Sequence, residues 1–249
     1  MIDEDIALLD IETSFSSPLD RPEEELPRPD PDEMLALLTS EAVLERMQAA
    51  RAFCEIEDKR AIPLLIDLLQ DDCTLVRVSA AYALGRNPST TAVLPLIGKL
   101  DGEWNGYVRK GIVWALGTCK DQRALTPLIS ALKYDIAAVR LWAASALGQL
   151  GDLHAIEPLT GALQSDRVAV VRSNCAWSLS KLLRLRFASG DNQRNEIYHD
   201  ALDALIGALE DEDLSVQDDA KATLRKLGDP HGLRVLEQIE IEQGYCDLL

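Results

Sequence analysis

The chain has 249 residues, 47% of them hydrophobic, with 25 Lys and Arg against 42 Asp and Glu and a net charge of −17. That apolar share can form a large core, while the acid excess argues against nucleic acid and anionic membranes as partners, because both reward clustered cations. No apolar run reaches the roughly 18 to 20 residues of a membrane span, and MIDEDIALLD lacks the basic start and apolar centre of a signal peptide, so the expected compartment is the cytosol.

Residues 1–30 hold ten acids, two arginines and Pro18, Pro22, Pro27 and Pro29, for a net charge of −8. Such a segment has too little apolar surface to offset its ordering entropy and is expected to be a mostly disordered tail. From residue 31 to 249 one pattern recurs. VRVSAAYALG, VRKGIVWALG, VRLWAASALG and VRSNCAWSLS align without gaps, and their arginines, Arg77, Arg109, Arg140 and Arg172, stand 32, 31 and 32 residues apart. Pro63, Pro95, Pro127 and Pro158 keep the same period. Degenerate copies flank these four, with Arg46 and Gln217 in the arginine place. Two landmarks per period of 31 to 32 mark a solenoid of helical pairs, so the expected fold is an all-α superhelix of about six pairs plus a capping helix.

First helices are expected over 31–38, 61–70, 92–100, 123–133, 155–164 and 201–210. Second helices are expected over 41–56, 74–86, 105–118, 136–150, 168–186 and 213–227, with a cap over 231–243. Proline near a helix start is compatible with the unpaired N–H groups there. Gly85, Gly117 and Gly148 are expected to end second helices with left-handed caps, and Asp72, Asp135, Asp166 and Asp213 to cap the helix that follows each turn. The four arginines beside those aspartates read as a structural ladder rather than a binding row. Between Arg172 and Gln217 the spacing grows to 45 residues, an insertion of about 13 in FASGDNQRNEIYHD, near 187–200.

With each arginine as position zero and 100° per residue, the small and apolar positions +3, +4, +6 and +7 form one arc, the expected buried face. Position +5 lies nearly opposite and holds Arg51, Tyr82, Trp114, Ser145, Trp177 and Ala222 along the chain. Trp142 lies on the same face, three residues before Ser145. Tyr82, Trp114, Trp142 and Trp177 can therefore form a stripe roughly 30 Å long at about 10 Å per helix. Positions +1, +2 and +9 of the four central units carry Arg86, Lys110 and Lys181 and no acid. Arg51, Tyr82, Arg86, Lys110, Trp114, Trp142, Trp177 and Lys181 are thus the candidate binding residues. An aromatic, cationic face suits an acidic protein surface or a flat conjugated ligand with carboxylates, if the rings do not simply pack between adjacent second helices.

The unit V-R-x-x-A-A-[WY]-A-L-G followed by A-I-x-P-L resembles the HEAT-like repeats of the E/F-type phycobilin lyases, cyanobacterial proteins that attach or remove bilins on phycobiliproteins. The likeness spans residues 31–243. It implies a phycobilin such as phycocyanobilin, a phycobiliprotein subunit or a lyase partner subunit on that face, and a phycobilisome association. WNGYVRKGIVWALG resembles more particularly a stand-alone member of this group, also described as a HEAT-repeat partner of an A-type iron–sulfur carrier. That likeness implies the alternative, a non-enzymatic adaptor with an iron–sulfur cluster shared with its partner.

No catalytic or phosphate-binding motif stands out, so any lyase activity would rest on positioning. Cys54, Cys73, Cys119, Cys175 and Cys246 form no C-x-x-C pair, so neither a zinc site nor a disulfide framework is indicated. Cys175 replaces a core alanine, and Cys246 is the best candidate for an accessible thiol. His154 and His231 occupy equivalent loops and fit the repeat pattern, whereas His199, in the insertion, is the least explained.

Overall fold

The computed structural model describes residues 29–188 and 196–242, which form an all-α solenoid with no strand among the described residues. The first helices are α1 (Pro31–Leu37), α3 (Ala61–Leu68), α5 (Val93–Gly102), α7 (Leu125–Tyr134), α9 (Ile156–Ser165) and α11 (Glu196–Gly207). The second helices are α2 (Val43–Ala52), α4 (Thr74–Arg86), α6 (Gly106–Cys119), α8 (Ala137–Leu150), α10 (Ala169–Ala188) and α12 (Leu214–Leu227), and α13 (Pro230–Glu242) caps the stack. The acidic segment up to residue 28, Cys246 and the insertion residues 189–195 lie outside the described residues.

The periodic arc is the core. Ala80, Ala81, Ala83 and Leu84 of α4 are fully buried, as are Ile112, Val113, Ala115 and Leu116 of α6. Successive second helices pack directly on one another from α2 to α12, whereas successive first helices touch sparsely, except α9 and α11. The more closely spaced layer lies inside the curve, so the second helices line the concave side.

Glycine makes that spacing possible, and here the expected caps are corrected. Gly85, Gly117 and Gly148 lie inside their helices and are buried. Among the described residues the left-handed ones are Lys120 (φ 50°), Gly151 (φ 76°) and Gly228 (φ 64°). A Cβ on Gly117 would stand 2.7 Å from Ala146 Cβ and 2.8 Å from Ala146 Cα, and one on Gly148 2.8 Å from Ser178 Cβ. These glycines serve close backbone approach between neighbouring helices.

The arginines form a ladder between repeats. Arg140 donates from Nε and Nη2 to both Asp166 oxygens at 2.7 Å, and from Nη1 to the Asp135 carbonyl at 3.0 Å. The same arrangement joins Arg77 to Glu103, Arg109 to Asp135 and Arg172 to Asp211, and Arg46 meets Asp71 through Nε alone at 2.7 Å. Each guanidinium thus holds its own turn through carbonyls and the next repeat through a carboxylate. The acids facing Arg46, Arg77 and Arg172 are Asp71, Glu103 and Asp211; the cap expected of Asp213 is present, whereas Asp71 rather than Asp72 takes the N–H at the start of α4. Asp72 lends Arg77 only its carbonyl, at 3.1 Å, while Asp213 caps α12 through the Ser215 N–H. Each of these five also accepts a backbone N–H one or two residues on, including Cys73 at 2.8 Å and Val168 at 2.9 Å. Gln217 keeps the carbonyl contact, to Asp211 at 2.6 Å, but carries no charge for a further rung.

A second set of caps starts each following unit. Asp58, Asp121, Asp152 and Asp229 accept the N–H two residues ahead, from Arg60, Arg123, His154 and His231. His154 and His231 therefore stand where other units have arginine, in keeping with the repeat pattern.

The last first helix begins five residues before its expected start. It brings Tyr198 into the core, 1% exposed, with its hydroxyl donating to Asp229 at 3.0 Å. His199 is exposed beside it, its ring edge-on to Tyr198 at 5.9 Å.

Overpacking at a glycine contact costs about 1–3 kcal/mol, so Gly117→Ala is expected to lower stability by that much in urea unfolding. Gly161→Ala is expected to raise it by about 0.5–1 kcal/mol, because a Cβ there meets nothing within 4 Å and alanine is the better helix former.

Burial pushes the Asp71, Glu103 and Asp166 carboxyls up, but the arginine bonds and backbone N–H groups outweigh it and hold all three below the ordinary carboxylate range. At Asp211 the Arg172 bond is the largest influence and acts in the same direction. A carboxyl depressed on folding stabilises the fold above its unfolded pKa of about 4 and loses that contribution as pH falls below it. The thermal midpoint is therefore expected to be nearly level from about pH 7 to 5 and to drop below about pH 4; a constant midpoint down to about pH 2.5 would contradict the ladder's charge pairing.

Candidate functional site

The candidate residues all lie on second helices, and their surroundings differ along the stack. Arg51 is exposed at the end of α2. Arg86, also exposed, donates from Nε to the Cys54 carbonyl at 3.0 Å and so ties α4 to the end of α2. Tyr82 and Trp114 are half-buried and meet at 5.6 Å between ring centroids, tilted by 38°. A Cβ on Gly85 would lie 2.4 Å from Trp114 Cζ3, and one on Gly111 3.4 Å from the Tyr82 ring. These two rings fill the seam between α4 and α6.

Farther along, the face opens only at Trp177. Trp142 is half-buried against the core, with Lys110 Nζ 5.2 Å from its centroid. Trp177 is 37% exposed, and Lys181 Nζ lies 3.6 Å over its ring. The stripe of four aromatics is thus a packed pair followed by two indoles that each carry an ammonium group, a favourable charge–quadrupole contact. On the amino-terminal side of Trp177 is a cleft of about 280 Å³ lined by Ser145, Ser173, Asn174 and Asp219. Asp219 comes from the last second helix and accepts from the Ser173 hydroxyl.

Burial pushes the Lys181 ammonium pKa down, and the charge of Lys120 adds to that shift. Burial raises the thiol pKa of Cys54, Cys119 and Cys175, so these remain protonated and weakly nucleophilic at neutral pH. Cys175 is buried, as its place in the repeat predicts. Among the described residues no group of three His, Cys, Asp or Glu side chains could hold a metal ion. None of the helices described is long and apolar enough to cross a membrane.

The model of HEAT repeats matches residues 31–101 and 93–180, more than half of the chain. The chain belongs to the HEAT-repeat family. Among curated proteins none matches it. Among solved structures, this HEAT-repeat chain is similar to the complex of CpcE and CpcF of phycocyanin lyase from Nostoc sp. PCC7120, at 24% identity over 87% of this chain and 84% of that one, with a TM-score of 0.59. It is also similar to a designed armadillo repeat protein in complex with the peptide (KR)4, at 21% identity over 80% of this chain and 100% of that one, with a TM-score of 0.62. Kap95p, from a complex with RanGDP, matches at 18% identity over 79% of this chain and 30% of its own, with a TM-score of 0.54. These are likenesses of fold.

Three charged residues on or beside the HEAT-repeat face escape the ten-residue motif. Lys120 and Arg184 stand 11 and 12 positions after Arg109 and Arg172, beyond the motif's end, and Asp219 lies two after the degenerate Gln217. A longer alignment window would have found the first two.

The packing difference has a measurable consequence. Truncating a packed aromatic costs about 3 kcal/mol or more, and an exposed one much less. Trp114→Ala is therefore expected to destabilise the fold by about 3 kcal/mol and Trp177→Ala by about 1 kcal/mol, compared by denaturant unfolding.

Proposed function

We propose that this HEAT-repeat protein is bilin-lyase-like and that its concave face binds a phycobilin, a phycobiliprotein subunit carrying one, or both. The observation that carries this reading is the Trp177–Lys181 pair, an accessible indole with an ammonium over it, followed along the face by the Lys110–Trp142 pair. A linear tetrapyrrole offers a flat conjugated system and carboxylates, which are the complements of an exposed indole and of lysine. The fold shared with the CpcE and CpcF phycocyanin lyase complex supports the same reading and a protein partner. The sequence carries no recognised catalytic motif, so attachment or removal of the bilin would be promoted by holding the reacting groups together.

Titration of phycocyanobilin is expected to give a shifted visible absorbance at micromolar protein, with affinity about tenfold weaker in Trp177→Ala. No shift at those concentrations would overturn bilin binding. Pull-down from a cyanobacterial lysate is expected to recover phycobiliprotein subunits, whereas an iron–sulfur assembly protein in their place would favour the adaptor role and its shared cluster.

A further inference from the structure

At one end of the concave face stand three cations, in a chain whose net charge is −17. Lys120 ends α6 in a left-handed conformation and is exposed. Lys181 lies in α10, over the ring of Trp177, and Arg184 follows it by one turn, also exposed. Among the described residues none of the three pairs with a carboxylate, although elsewhere five arginines do so in the ladder alone. Lys120 is close enough to Lys181 for its charge to disfavour that of its neighbour. The negative end of the α6 dipole favours a cation at Lys120.

The ends of the Trp177 ring differ in charge. Ser173 and Asn174, one turn before Trp177, line a cleft with Asp219, whereas Lys181 and Arg184 follow it. A ligand on this indole therefore meets a carboxylate at one end and cations at the other, which fixes the direction of a polar molecule. The Lys181 ammonium occupies the ring at 3.6 Å. An exposed cation–π contact is worth only about 0.5–1 kcal/mol, so an incoming carboxylate can draw the ammonium aside and open the ring.

We infer that Lys120, Lys181 and Arg184 form an anchor for the acid groups of a planar conjugated dicarboxylate, with Trp177 stacking on its rings and Lys181 swinging from the indole to the ligand. This rests on the proposed bilin-binding reading and adds to it the end of the ligand that is held and the residues that hold it. Lys120 and Arg184 act here as binding residues.

Biliverdin, with two free carboxylates, and its dimethyl ester, with none, separate stacking from anchoring. Titration of the full chain, read by visible absorbance, is expected to give biliverdin an affinity at least about tenfold above that of the ester. In Lys120→Asn/Arg184→Gln, where asparagine tolerates the left-handed position, biliverdin is expected to weaken at least about tenfold while the ester is unchanged. Circular dichroism of the variant checks that its fold is intact. Equal affinities for acid and ester, or an unchanged biliverdin affinity in the folded variant, would overturn the anchor and leave bilin binding standing. Failure of both compounds to bind would overturn both.

Discussion

An arginine that belongs to one repeat but is neutralised by an acid of the next makes every repeat electrostatically incomplete alone. Its guanidinium is largely sheltered from water, most strongly in the Arg77–Glu103 rung, where the side chains are 7% and 1% exposed. A charge in such a place is stable only while its partner is present. Five rungs, from Arg46–Asp71 to Arg172–Asp211, therefore fix how each pair of helices sits on the one before. The series stops where the chain supplies Gln217, one unit before the capping helix. Rung five, Arg172–Asp211, spans the insertion and keeps the same bidentate geometry.

The second constraint is distance. With glycine or alanine at the contact positions, neighbouring second helices approach until backbone meets side chain, and the first helices splay on the outside. The curvature turns position +5 of each second helix toward the concave side, where bulky rings have two fates. Between α4 and α6 they fill the seam, and on α10 Trp177 stands open beneath Lys181. One repeat position thus supplies packing in one half of the array and a candidate binding surface in the other.

Much of this was legible in the sequence because it is periodic. The helix bounds, the buried arc and the ladder follow from a motif seen four times, and averaging over copies makes the assignment robust. What the sequence did not reveal are contacts between copies. Gly85, Gly117 and Gly148 stand at the end of the recognisable motif and read as helix stops, but their role lies in Trp114, Ala146 and Ser178 of the next unit. Asp71 and Asp72 are adjacent and chemically alike, and only the turn geometry decides which one faces Arg46. The candidate face was found by rotation alone, yet rotation could not separate Trp114, seated on a neighbour's glycine, from Trp177, which is open. Lys120 and Arg184 fell outside the motif's length, and Asp219 lay in a copy too degenerate to weigh.

If the rungs are what join one repeat to the next, removing one should uncouple the array at that point. Hydrogen–deuterium exchange of Arg172→Met, which takes away the rung bridging the insertion, tests this most directly. The expected result is faster exchange in residues 196–242 while residues 31–150 keep the protection of the parent protein. Equal loss of protection along the whole chain, or no change anywhere, would contradict the ladder as the coupling between repeats.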